Sequence, residues 1–225
     1  PSPPPPCSCE EACGFFGTSP HDGYLERTLI IKDDARVVAK TVHTKVSVGG
    51  ELTTLPGTTF QEWPDLYEHT RDTMTSWTGI GNAANFAYAA WPDFEQLART
   101  AQPHTQGPYN VIVHEQGGEY STQNACHETL TTADDGAALD NRQTLHIFRD
   151  AGTICLDKNP TTGAAFGPSV IAPFARVVIK GGVGLVDGSI VARSLGSQYA
   201  GGKNGEDVQL HGNTYEGPMQ CSCCD

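Results

Sequence analysis

The sequence predicts a mainly β fold of β-solenoid type with one attached helical segment, on three observations. Residues 167–195, GPSVIAPFARVVIKGGVGLVDGSIVARSL, alternate blocks of Val, Ile and Ala with Gly, Pro and Asp, a pattern of short buried strands joined by tight corners. Within that run Ser169-Val170-Ile171-Ala172 recurs as Ser189-Ile190-Val191-Ala192, an offset of 20 residues, about one turn of a solenoid. Far upstream, Ala35-Arg36-Val37-Val38 with Lys40 echoes Ala175-Arg176-Val177-Val178 with Lys180, which places two distant segments on equivalent edges. Stacked rungs of this kind bury their apolar side chains against the rungs above and below.

Each element follows in order. Residues 1–6, PSPPPP, form a polyproline II tract, with Pro3, Pro4, Pro5 and Pro6 as glycosylation candidates through hydroxylation and O-linked sugar. From Tyr24 to Leu55 the pattern predicts strands at 28–32, 36–40, 43–48 and 51–55, with Asp33-Asp34 and Gly49-Gly50 as hairpin turns. The acidic pair is read as a solvated turn before a calcium ligand. Residues 61–101 change character. Trp63, Leu66, Tyr67, Thr70, Met74 and Trp77 fall at helical spacing, 85–91 forms a second short helix, and Pro92 opens a third running through Arg99. A helix laid along a solenoid covers apolar surface that the strands leave bare. Strands resume at 109–114, 144–148, 153–156 and 207–215, around a polar loop from Glu115 to Asn141.

Composition sets the class. A chain of 225 residues with 25 Gly, 15 Pro, 38% hydrophobic and 18% charged residues fits one turn-rich β domain. The start at Pro1 reads as a processed or trimmed beginning, a removed signal peptide being one explanation. No run reaches the roughly 20 apolar residues that span a bilayer. A net charge of −12 with scattered Lys and Arg repels a nucleic-acid backbone, so neither nucleic acid nor membrane insertion is expected.

Cysteine placement points outside the cell. Cys7, Cys9 and Cys13 lead the chain, Cys221, Cys223 and Cys224 close it, and Cys126 and Cys155 lie inside. An even count in an acidic, turn-rich chain suggests disulfides in an oxidising compartment. The simplest pairing joins the leading trio to the trailing trio and Cys126 to Cys155; a thiolate metal cluster is the alternative.

SVIAPFARVVIKGG, VDGSIVARSLGS and GEDVQLHGNTYEG together resemble the closing segment of choice-of-anchor A domains. Thr44-Lys45-Val46-Ser47-Val48-Gly49-Gly50-Glu51-Leu52 resembles that family's early strand. The resemblance implies an extracellular β-solenoid used in surface or matrix roles, with no catalytic residues to carry over. It sets the domain plan: a Pro-rich and Cys-rich segment at 1–13, the solenoid at 14–217 with a helical insert at about 61–101, and a Cys-rich tail at 218–225.

Catalytic patterns are sparse. His21, His43, His69, His104, His114, His127, His146 and His211 form no H-E-x-x-H or H-x-H pair, and no G-x-S-x-G elbow occurs. Among carboxylates nothing singles out Asp187 or Glu206. Asp134, Asp135 and Asp140 are the calcium candidates, hard oxygen ligands close in sequence without the D-x-D-x-D-G loop. Otherwise no cofactor is expected. The doublets Thr53-Thr54, Thr58-Thr59, Thr131-Thr132 and Thr161-Thr162 lack the period-2 outward ladder of a flat ice-binding face and suit O-glycosylated loops better.

The expectation is a non-enzymatic, secreted, disulfide-bonded building block at a cell surface or in an extracellular fibre. Its partners are copies of itself, assembled head to tail through the Cys-rich termini. The alternative is a monomeric adhesin that binds glycans; ice binding and a polysaccharide-active enzyme rank lower.

Overall fold

The computed structural model describes residues 27–39, 41–42, 45–54, 59–60, 75–78, 94–115, 119–123, 125–131, 143–161, 165–197, 209–213 and 215–222. Its strands are β1 (Arg27–Ile31), β2 (Ala35–Val37), β3 (Thr41–Val42), β4 (Lys45–Val48), β5 (Glu51–Thr54), β6 (Thr59–Phe60), β7 (Thr75–Thr78) and β8 (His104–Gln106). These are followed by β9 (Tyr109–His114), β10 (Glu128–Thr131), β11 (Thr144–Phe148), β12 (Thr153–Asp157), β13 (Ser169–Ile179), β14 (Leu185–Gly188), β15 (Ile190–Ser197) and β16 (Gln209–Asn213). A helix, α1, is described over 94–100.

Almost every pairing is parallel, which defines a solenoid. One face stacks β9, β11, the first half of β13, the first half of β15, β1 and β4. A second stacks β10, β12, the later halves of β13 and β15, β2 and β5. A third stacks β14, β16, β3 and β6. The 20-residue repeat is the spacing of adjacent rungs, since Val170, Ile171 and Ala172 pair with Ile190, Val191 and Ala192. The upstream echo also shares a face, two rungs away and slipped by two residues, because Val177 pairs with Leu195 and Leu195 with Ala35. A slip of two preserves which side chains point inward.

Rung order in space is not chain order. The final rung, β15 and β16, lies between the rung of β13 and β14 and the rung of β1, β2 and β3. The parallel rungs therefore stop at one end of the stack at Phe60, with β7 returning beside β5, and start again at the other end at Tyr109, just after β8. Five strand spacings, roughly 24 Å, separate those ends. Helix α1 lies on the way back.

The helix covers the outward side of the first face. Ile30, Val191, Ile171 and Ile147 form a ladder there and are packed with Phe94, Leu97 and Ala98. On the inward side of the same strands, Leu29, Ile190 and Val170 stack in the bore. Burial on both sides explains why these strands read as unbroken apolar words. Each fully buried side chain of this size contributes about 1.5–3 kcal/mol. Lys32 Nζ donates to Glu95 Oε1 at 3.5 Å, and the Arg99 guanidinium lies 4.9 Å from the Phe174 ring centre, fixing the helix at its polar edge.

Three expectations change. The turns at Asp33-Asp34 and Gly49-Gly50 are solenoid corners, not hairpins, because β1 pairs in parallel with β4 rather than with β2. The helical reading through Trp77 fails at its end. Residues 75–78 form β7, antiparallel to β5 with Trp77 opposite Leu52, where open backbone edge overrode side-chain periodicity. The polar stretch from Glu115 to Asn141 is not all loop, since it contains β10 on the edge of β12. Of the helical insert, 61–74 and 79–93 lie outside the described residues. β13 runs through Pro173, whose missing N–H falls where the register breaks between Ala172 and Arg176 and the strand turns from one face to the next.

Residues 215–222 dock back on the same chain. Tyr215 is buried, stands edge-on to Tyr109 with ring centres 6.0 Å apart, and donates its hydroxyl to the Pro218 carbonyl at 3.0 Å. Burial, then Tyr109, push that phenol up to about 12. The main chain of Gln220 and Ser222 bonds to Gln102 and Thr100 at 2.7 Å each.

Corner packing supplies a test. A Cβ on Gly188 would run into the Pro168 carbonyl and come within 2.6 Å of the Ser169 nitrogen, whereas one on Gly184 meets nothing within 4 Å. Gly188→Ala should cost about 3 kcal/mol and lower Tm by roughly 5–10 °C, with Gly184→Ala within about 0.5 kcal/mol of the parent, as read by thermal unfolding.

Candidate functional site

Strand parity builds a polar cluster inside the bore at the β9 end. In β11, Leu145 and Ile147 face outward under the helix, so His146 and Phe148 face inward. His146 stands between Ile112 and Val170, and His114 lies opposite Phe148. The His114 ring stacks on Phe148 with centres 4.1 Å apart and planes 8° from parallel. On β10, Glu128 shares the inward parity of Leu130. These positions make a chain: Glu128 Oε1 is 2.9 Å from His114 Nδ1, and His114 Nε2 is 3.0 Å from His146 Nδ1.

Protonation follows from that geometry. The carboxylate accepts from His114 Nδ1–H, which leaves the second His114 nitrogen facing a nitrogen of His146 with one proton to share. Burial, then the neighbouring His114, lower the His146 pKa to about 4, so it is neutral near pH 7. Glu128 Oε2 is buried without a hydrogen-bond partner among the described residues. Lying at the end of apolar ladders, the cluster shares one proton between two rings with a carboxylate at its outer side.

A second polar pair links rungs on the third face. His211 Nδ1 on β16 lies 2.9 Å from Asp187 Oδ1 on β14, and His211 Nε2 lies 3.0 Å from Gln209 Oε1. Both ring nitrogens are therefore engaged, which ties β14 to β16 and leaves neither nitrogen aimed at a substrate. Glu206 lies outside the described residues.

The corner acids have similar uses. Asp33 Oδ2 accepts from Arg193 Nε at 3.1 Å, and Asp34 Oδ1 accepts from the Glu51 amide at 2.9 Å. They remain solvent-exposed at the corner while also binding protein donors across rungs. Arg193 also lies 4.1 Å from the Tyr120 ring centre, and Tyr120 donates to Ser194 Oγ at 2.9 Å.

Tyr120 belongs to a flap over the second face. Cys126 and Cys155 form a disulfide with a Cα separation of 5.5 Å. Parity turns Cys155 and Val178 away from the bore, yet both are fully buried, and the disulfide ties the Cys126 segment down at this position. Lys180 Nζ sits 3.9 Å from Cys126 Sγ. Cys221 is disulfide-bonded as well. Cys7, Cys9, Cys13, Cys223, Cys224, the proline tract Pro3–Pro6 and the calcium candidates Asp134, Asp135 and Asp140 lie outside the described residues. Among the described residues no three His, Cys, Asp or Glu side chains gather as a metal site. The doublet Thr53-Thr54 sits in β5 with Thr54 buried, so it is no glycosylated loop.

Sequence reading counted His114 and His146 among eight histidines and did not join them to Glu128. One signal was available. Once 144–148 is a strand between Val, Ile and Ala rungs, alternation sends His146 to the same side as Phe148, a polar residue at a core position.

No family model matches the chain, and no curated protein matches it. Among solved structures the chain is similar to a glycosylated ice-binding protein from an Arctic yeast, at 14% identity and a TM-score of 0.40, over 87% of this chain and 93% of that one. The solenoid assignment rests on the strand pairing itself.

The disulfide gives a second test. Closing a loop across a separation of 29 residues restricts the unfolded chain by about 3–4 kcal/mol in the entropic account. Cys126→Ser with Cys155→Ser should destabilise by about that much in denaturant titration and raise proteolytic cleavage between residues 115 and 127.

Proposed function

We propose that the chain is a non-enzymatic extracellular structural domain that works as a single, self-cinched copy displayed at a cell surface or in a matrix. One observation carries this reading: the closing segment is spent on its own chain. Tyr215 through Ser222 packs on α1 and β9, and Ala101 bridges to Cys221, itself a disulfide cysteine. The closing strand β16 is paired on both edges, by β14 and β3, which leaves it no edge to offer a neighbour.

The ends of the stack support the same view. Antiparallel strands β8 and β7 lie over β9 and β5. A short reversed strand is a way to stop edge-to-edge growth. The disulfides fit an oxidising compartment outside the cell, and among the described residues no helix is long and apolar enough to cross a membrane. The resemblance to choice-of-anchor A domains supports surface display. A non-catalytic reading fits a His211 whose two nitrogens are both engaged and a histidine pair bonded to each other and to Glu128.

A fibre protomer assembled head to tail is the second reading. It is favoured by β4, β6 and β10, each of which has a single pairing partner among the described residues. In such a fibre, noncovalent edges would join copies while the terminal cysteines reinforce the contact.

Native material with thiols blocked before unfolding separates these readings by denaturing electrophoresis with and without reductant, followed by sedimentation under native conditions. A monomer in every case is expected. A ladder of multiples that collapses on reduction, or filaments in native sedimentation, overturns the single-copy reading in favour of the fibre. Turnover of a polysaccharide panel by the purified chain overturns the non-enzymatic one.

A further inference from the structure

We infer that the rung formed by β9 and β10 is an acid-opened latch, held shut by the Glu128–His114–His146 chain and released when that chain must take up a second proton. The argument begins with counting protons. In the resting chain His114 Nδ1–H donates to Glu128, and one proton lies between His114 Nε2 and His146 Nδ1, 3.0 Å apart. A first added proton can enter at His146 Nε2 while the shared proton passes to His114 Nε2, which puts the added charge beside the carboxylate of Glu128. The His114 Nε2–H then donates to the now bare Nδ1 of His146, and all contacts survive. A second added proton has no such place. On His146 it puts two N–H groups and two positive charges face to face, and on Glu128 it neutralises the carboxylate that balanced the first charge.

Among the described residues, nothing nearby absorbs that charge. From β9 the groups facing His146 are His114 and Ile112, and from β13 they are Val170 and Ala172. From β12 Ile154 stands opposite Glu128. Arg149, at the corner after β11, is turned away to Glu115 and the Ala101 carbonyl. His127 beside Glu128 receives the Thr153 amide on Nδ1. No described carboxylate other than Glu128 reaches the pair.

Position makes the strain local. All three residues bridge the last rung to the stack, Glu128 and His114 from β10 and β9 and His146 from β11. The last rung has one parallel neighbour, whereas the inner rungs have two. Acid therefore acts on a rung at the end of the parallel stack, where β10 has one pairing partner among the described residues and β9 is backed only by the short antiparallel β8. Opening would uncover Leu130, Phe148 and Ile154 at the mouth of the bore, an apolar surface that is buried in the closed rung.

The sign is consistent. A histidine harder to protonate folded than unfolded makes the folded state lose stability as pH falls from about 6.5, with the loss complete near 4. Hydrogen exchange by mass spectrometry on the full chain, corrected for the intrinsic pH dependence, tests where that loss appears. Between pH 6.5 and 4, protection over 109–114 and 128–131 should fall at least tenfold more than over 29–31 and 190–197. His146→Val, which continues the Val170 and Ile112 ladder, should abolish the difference. Uniform loss across all rungs, no loss, or the same selective loss in the variant would each overturn the latch. If His146→Val does not fold, the parent alone decides through its imidazole carbon and nitrogen shifts. A His146 titration below pH 5 coincident with selective opening upholds the latch, and titration near 6.5 with the rung closed overturns it.

Discussion

Parallel stacking is the constraint on which the rest depends. A parallel strand needs a neighbour on each edge and cover on each face, because its backbone groups cannot be left dry and unpaired. The chain meets this by threading its last rung between two rungs laid down earlier in sequence, so that β15 bonds β13 on one side and β1 on the other. Residues at 30 and 191 then share one ladder, and the first strand is completed only when the last one arrives. That arrangement ties stability to contacts between remote segments, which have a high loop-closure cost and slow folding.

The same constraint explains the attached pieces. The outward side of the first face would be an apolar wall of Ile30, Val191, Ile171 and Ile147, and the helix covers it while carrying the chain between ends. The outward side of the second face is held under a flap by the Cys126–Cys155 bond and by Arg193 against Tyr120. On the third face polar pairing takes over, with Asp187 to His211 crossing from one rung to the next. Corner acids do likewise, so Asp33 and Asp34 act as fasteners. Charged residues here hold rungs together.

Among the described residues, the apolar filling of the bore gives way to a histidine pair at the β9 end. Elsewhere the inward positions are Leu29, Ile190 and Val170 in one ladder and Ile31, Ala192 and Ala172 in another. At the β9 end the same ladders continue as His146 and His114, and a carboxylate from β10 satisfies the outer ring. Ionisable groups at this position are the basis of the proposed response of this end of the stack to pH.

The sequence by itself determined the local periods. Val, Ile and Ala words between Gly and Pro encode strand and corner, the 20-residue repeat encodes the rung, and the strands at 144–148 and 153–157 are legible because β-branched and aromatic residues favour a pleated, buried surface. The helix at 94–100 is legible from its apolar spacing and from the Pro92 that precedes it in sequence. Tertiary structure alone decided which rungs touch, that Trp77 lies in a strand beside Leu52, and that Glu128 meets His114 and His146. The physical reason is that periodicity reports which side of a strand is buried, whereas the identity of the neighbour across the ladder depends on backbone edges far apart in the chain.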